Sequence, residues 1–228
     1  MQTTHDATHK RDTHMSNATD NVTETRTHAE IVAEYRATLT SAFDVRMSYE
    51  RAKNAENESI QSVLKAQRKS VDHDKIAEMM LVANVNADFI NVSERVSARF
   101  NVKAAEKVIN LARVLASAEH LNHYTRAVFL SAVALAKNNT MLTHKDAHAS
   151  CSLSVKNNAA RDKLLVRYQK HVDASTASTQ SSSSINALQM FDVLKETRDE
   201  SNTIAYVVNT DSEATKRLFK HFNIDASA

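Results

Sequence analysis

The stretch Asn101–Lys137, NVKAAEKVINLARVLASAEHLNHYTRAVFLSAVALAK, decides the fold class. In its first half Val108, Leu111, Ala112 and Leu115 recur three and four apart, the period of one helix face, and Asn101 stands where an N-cap belongs. In its second half the run from about Tyr124 to Lys137 is apolar on nearly every side, the mark of a helix at the middle of a bundle. The continuous apolar part, Ala127–Ala136, is about half of the roughly 20 residues that a helix needs to cross a bilayer. It is therefore read as buried in protein, and no membrane partner is expected.

Working outward on the N-terminal side, Thr27–Glu30 (THAE) is a capping box, and Ile31, Tyr35, Leu39, Ala42, Phe43 and Met47 continue from it as a helical stripe. Two further helices are predicted through Ile60, Val63 and Leu64 and, after the polar break SVDHD, through Ile76, Met79, Met80 and Ala83. The segment NVSERVSARF reads as a short helix with Val92, Val96 and Phe100 inward. Residues 1–26 are polar and aperiodic, read as a disordered tail, and show no secretory signal.

On the C-terminal side the texture changes. Residues 174–184, ASTASTQSSSS, read as a Ser/Thr-rich linker between a helical body at 27–173 and a small α+β element at 185–228. In that element Ile185, Leu188, Phe191 and Leu194 suit a helix, and Thr203–Val208 (TIAYVV) is a convincing strand. A second capping box, Thr210–Glu213, would open a last helix carrying Ala214, Leu218 and Phe222. A strand needs a partner for its backbone groups, and the alternating Cys151, Leu153 and Val155 are its candidate. The expected fold is mainly α, a multi-helix bundle with a small C-terminal helix-strand-helix element.

Composition narrows function more than any motif does. Among 228 residues there is no Gly, no Pro and no Trp, where ordinary usage is about 7% Gly and 5% Pro. Two causes are open. Helix interiors disfavour Gly and Pro; alternatively, these three are the amino acids whose codons in the standard code always contain a GG or CC doublet, so a coding sequence purged of those doublets would lack all three. A gene under such constraint points to a phage or mobile-element setting. Without Gly, phosphate-cradling Walker and dinucleotide loops are excluded, and with them most nucleotide-dependent enzymes. The net charge of only +2 excludes nonspecific coating of nucleic acid by the whole chain. A single cysteine excludes an internal disulfide and fits a reducing, cytoplasmic compartment.

A local patch remains. Leu142–His171, LTHKDAHASCSLSVKNNAARDKLLVRYQKH, resembles a degenerate helix-turn-helix, a motif and not a lineage. Thr143 would cap the first helix, Ser152–Ser154 would turn, and Ala160, Leu164, Tyr168 and Val172 would face inward on the second. The outer face of that second helix would offer Lys156, Arg161, Lys163, Arg167 and Lys170 to phosphates, against one carboxylate at Asp162, and Asn157 and Asn158 to base edges. The turn glycine is missing and the apolar positions fall one residue late, so two alternatives stand beside it: a solvated basic face, or a strand at Cys151–Val155 that abolishes the turn.

Other constellations carry less. His144 and His148 are four apart beside Asp146, and His120 and His123 follow Glu119, but neither is an HExxH pattern, and no metal or other cofactor is expected. Cys151 with His144 or His148 supplies the ingredients of a nucleophile without evidence of its geometry, and no catalytic residue is assigned. Met79 and Met80 suit either a core or an adaptable groove. The reading is a non-enzymatic, regulatory protein that binds DNA or RNA through the basic segment. The alternative is a structural protein assembling as a helical homo-oligomer.

Overall fold

The computed structural model describes residues 26–95 and 98–225. The tail read over 1–26 therefore lies outside the described residues except for Arg26, as does Val96.

The helices expected from local pattern form where caps and stripes put them: α1 His28–Lys53, α2 Glu58–Val71, α3 Asp74–Val82, α4 Val102–Ser117 and α5 His123–Ala136. Thr27 and Glu30 close both halves of their capping box, and Asn57, Asn101 and Asn122 each accept backbone N–H bonds at the start of the next helices. Leu39, Ala42 and Phe43 of the first stripe are buried, while Ile31 is exposed. Both methionines, Met79 and Met80, are in the core. Among the described residues no helix is long and apolar enough to cross a membrane.

Between α3 and α4 the expected short helix is replaced by a 3-10 turn, Phe89–Asn91, and a small antiparallel pair, β1 Ser93–Arg95 and β2 Ala98–Arg99. Phe100 is buried as expected, but Val92 is exposed. Phe89 anchors the turn because its ring sits edge-on between Phe43 (6.0 Å) and Phe100 (5.4 Å), a geometry that the ring quadrupoles favour.

The C-terminal half rearranges the most. After β3 (Leu142–Thr143) come α6 (His144–Ser150) and the one-turn helix α7 (Ala159–Asp162). The segment read as a linker is instead helical: α8 runs Ala174–Met190 and buries Ala177, Ser181, Ser184, Ile185, Ala187 and Leu188. Leu194, expected on a helix, opens β4 (Leu194–Arg198), which forms a hairpin with β5 (Ile204–Val208). Leu142–Thr143 adds to the other edge of β5, giving a three-stranded antiparallel sheet in the order β3-β5-β4. Cys151–Val155 is neither turn of a helix-turn-helix nor partner of β5. The last helix, α9 (Glu213–His221), starts from Ser212 with no side-chain cap, so the second capping box does not form. One continuous cluster of buried side chains runs from Leu39 to Phe219.

The chain meets its need for left-handed backbone without glycine. Asn84, Ala118, Asn139, Asp192, Asn202 and Asn223 all have positive φ. Asparagine and aspartate tolerate this region through local hydrogen bonds, but Ala118 at the end of α4, with φ 55° and ψ 30°, has only the steric penalty of its Cβ. Ala118→Gly is expected to stabilise the fold by about 0.5–1 kcal/mol, the relief of that clash less the added freedom of the unfolded chain. Urea denaturation checks it; an unchanged or lowered midpoint contradicts it.

Candidate nucleic-acid interface

The basic segment is not a recognition helix. Only Ala159–Asp162 is helical, and the chain then runs back alongside its own beginning: Leu153 N–H donates to Lys170 O (3.1 Å), Tyr168 N–H to Ser150 O (2.8 Å), and Ser152 Oγ bonds both Val172 O (2.8 Å) and Val172 N–H (3.1 Å). The result is a compact loop packed on α5 and α6. Its basic residues divide into two groups with different fates.

Three of the seven sequence-predicted contacts are consumed inside the loop, and a fourth shapes it. Arg161 forks onto the buried carboxylate of Asp146, Nε to Oδ1 at 2.7 Å and Nη2 to Oδ2 at 2.5 Å, and Nη2 also reaches Met141 O at 2.6 Å. Asn157 donates Nδ2–H to Asp146 Oδ1 at 2.6 Å. Arg167 donates to Val155 O at 2.8 Å and pairs with Asp162. Asn158 is the N-cap of α7, accepting from Arg161 N–H at 2.9 Å. These side chains hold the loop's shape and are not available to read bases.

Lys156, Lys163 and Lys170 are exposed and, among the described residues, their side chains have no hydrogen-bond or ion-pair partner; the same holds for the side chain of Lys145 on α6. Between His144 and Val172 the carboxylates are Asp146 and Asp162, and each is taken by an arginine. What the loop presents outward is therefore surplus positive charge.

Beside it lies a cleft of about 390 Å³ between the first turn of α5 and residues 166–170, walled in part by His123, Arg126, Arg167, Tyr168, Gln169 and Lys170. Among the described residues no carboxylate lines it. The rings of His123 and Tyr168 stack at 5.6 Å with 20° between planes, and Tyr124 meets Tyr168 edge-on at 4.8 Å. His123 and Arg126 lie outside the basic segment read from the sequence. The signal was present in HYTR at His123–Arg126, where a ring and a guanidinium sit three apart on one helix face. A larger cleft of about 810 Å³ between α2 and α4 mixes Lys69 and Arg113 with Glu106 and Glu119, so it offers no field of one sign.

The nucleophile ingredients do not come together. Cys151 is fully buried, and burial pushes its thiol up to about 12, away from the thiolate. His144 Nε2 bonds the Tyr206 hydroxyl (2.8 Å) and His148 Nε2 the Ala174 carbonyl (2.9 Å). Among the described residues no three His, Cys, Asp or Glu side chains converge on a possible metal position.

A second buried polar group was not anticipated. Lys107, 4% exposed, donates from Nζ to Gln180 O (2.6 Å) and Ser184 Oγ (2.9 Å), with Thr125 Oγ1 donating to Ser184 Oγ at 3.3 Å and the Tyr124 ring 5.2 Å away. Burial pulls its amine down from 10.5 to about 8. A lysine bonded to a serine hydroxyl is the geometry of an activated nucleophile. Here Ser184 is fully buried mid-helix and bonds back to Gln180 O at 2.8 Å, so no substrate reaches it. The pair bridges α4 and α8. Its trace in the sequence was a lysine on the apolar stripe, three after Ala104 and four before Leu111.

Neither a protein-family model, nor a curated protein, nor a solved structure matches the chain.

Proposed function

We propose that the protein is a non-enzymatic, regulatory nucleic-acid-binding protein whose contacts are to phosphate, made by a basic loop. The observation that carries this is the division of charge within His144–Val172: both carboxylates are internally paired and Lys145, Lys156, Lys163 and Lys170 are left over. Unpaired cations on one loop bind a polyanion chiefly by displacing its condensed counterions, so affinity should fall steeply with salt, by about 0.7 log units per log unit of salt for each single-strand phosphate engaged. Base-edge reading by Asn157 and Asn158 is not part of the proposal, since both are engaged within the loop.

The test is fluorescence anisotropy with labelled oligonucleotides across a salt series, for wild type and Lys156→Ala/Lys163→Ala/Lys170→Ala. These side chains bear no internal bonds, so the fold should survive and the salt slope should shrink by about 2 units. Absence of binding at low salt, or an unchanged slope in the triple variant, overturns the proposal.

A second reading, self-association, is favoured by one feature. Two clefts that share Gln189 and Met190 have exposed Val82 (51%) and Val92 (45%) in their walls, apolar side chains set among polar neighbours such as Asn84 and Glu213 that a second copy of the chain would cover. Sedimentation equilibrium of the nucleic-acid-free protein separates the two: a monomer at high concentration removes the second reading.

A further inference from the structure

We infer that the cleft between α5 and residues 166–170 seats one nucleotide of a single strand, its phosphate between Arg126 and Lys170 and its base against the ring of His123. The inference rests on the nucleic-acid reading above and specifies which form of nucleic acid the protein prefers.

Three features of the cleft point the same way. Its charge is of one sign, since the polar walls supply Arg126 and Lys170 and no carboxylate among the described residues. The Arg167 charge in the same wall is already met by Asp162, whereas Lys170 is exposed with no carboxylate on it and Arg126, also exposed, has its guanidinium 5.8 Å from the Phe222 ring and no carboxylate on it among the described residues. At about 390 Å³ it has the size of a site for one small ligand.

Its aromatic face is also pre-set. Tyr168 is pinned by its own N–H to Ser150 O and by the Tyr124 ring, and His123, an exposed residue, lies nearly parallel to it. A base added to that face would extend an existing stack without first ordering a side chain. Gln169 is held by Nε2–H to Arg167 O at 2.9 Å, which leaves its amide oxygen at the rim able to accept from a base amino group. Paired bases in a duplex are stacked inside and cannot lie on such a platform without being extruded. Cationic walls with an aromatic platform are the general device for holding single strands with little sequence preference.

The chain has no tryptophan, so His123→Trp places a single indole reporter on the platform. Titration at low salt with a single-stranded DNA or RNA of about 12 nucleotides is expected to quench it, whereas inorganic phosphate at the same concentration is expected not to. Either strand type quenching supports the inference, and the tighter one identifies the preferred sugar. In anisotropy, single strands should bind about tenfold or more tightly than a hairpin duplex of the same length. His123→Ala should lose about tenfold in single-strand affinity, and His123→Phe should restore it, which a merely structural role would not do. Arg126→Ala and Lys170→Ala should each cut the salt slope by about 0.7. Equal binding of single strand and duplex without quenching overturns the nucleotide seat while leaving phosphate contact by the loop lysines intact. No binding of either form at low salt overturns both.

Discussion

Replacing Arg161 by methionine is expected to cost about 3–5 kcal/mol of stability, a large share of the roughly 5–15 kcal/mol that holds a domain of ordinary stability. The reason is Asp146, whose fully buried carboxylate is surrounded by donors: Thr143 N–H (2.8 Å) and Oγ1–H (2.7 Å), Asn157 Nδ2–H (2.6 Å) and the Arg161 fork. Removing the guanidinium leaves a buried carboxylate with no cation, and the cost is that uncompensated charge more than the lost attraction. Asp146→Asn added to Arg161→Met should recover part of the loss, because a neutral amide needs no counter-ion. Urea denaturation of wild type, the single and the double variant measures this. A single variant within about 1 kcal/mol of wild type would show that the pair does not organise the loop. The same experiment guards the functional test: loss of nucleic-acid binding in an Arg161 variant would report unfolding, whereas Lys163, two residues on and exposed, reports contact.

The contrast between those neighbours explains what the sequence disclosed and what it hid. Helices α1 to α5 were legible because their determinants are local: Thr27 with Glu30, Asn101 before Val102, and stripes three and four apart. The loop was not, because Asp146 captures a guanidinium fifteen residues away, and no spacing rule marks that pairing. Arg161 and Arg167, counted from the sequence as outward charge, are therefore paired with carboxylates inside the loop, while Lys156, Lys163 and Lys170 are exposed. The serine-rich segment at 174–184 was misread for a related reason. Its helix propensity is poor, yet Asp173 caps it, Thr179, Ser183 and Ser184 turn their hydroxyls back onto carbonyls four residues earlier, and Lys107 reaches in from α4. Tertiary context overrides propensity there. The missing glycine also takes on a sharper meaning. Six described positions have positive φ and are filled by Asn, Asp or Ala, so the fold offers places where glycine would fit best. Selection for helix interiors does not act on those positions, which favours a constraint on the gene's GG and CC doublets. Ordinary doublet frequencies across codon boundaries in the coding sequence would refute it.

Lys107 should make the protein more stable as pH rises from 7 to 9, by about 1 kcal/mol, opposite to the loss expected if its amine were held in an ion pair. In the unfolded chain the amine keeps its proton up to 10.5, while in the fold burial releases it near 8. Between those values the unfolded state binds more protons, and stability therefore rises with pH, by at most about 1.4 kcal/mol per pH unit. Below about 8 the full penalty of burying the ammonium is present and the slope vanishes. The rise cannot continue to 10.5. Cys151 is buried near Lys107 and has its thiol raised from 9.0 to about 12, so from about 9 upward the unfolded chain loses a proton that the fold retains, and this term lowers stability. Tyr35, whose phenol is also raised by burial, adds to that decline above 10. The net profile is a rise that levels off near pH 9. In Lys107→Met the rise should disappear, and stability at pH 7 should increase by up to about 3 kcal/mol, because Gln180 O and Ser184 Oγ keep other partners and the desolvated charge is gone. In Cys151→Ala the rise should instead continue past pH 9. Urea midpoints at pH 7, 8, 9 and 10 for the three proteins resolve the matter: a Lys107→Met variant that retains the wild-type slope would assign the effect to another group and remove Lys107 as the titrating group between α4 and α8.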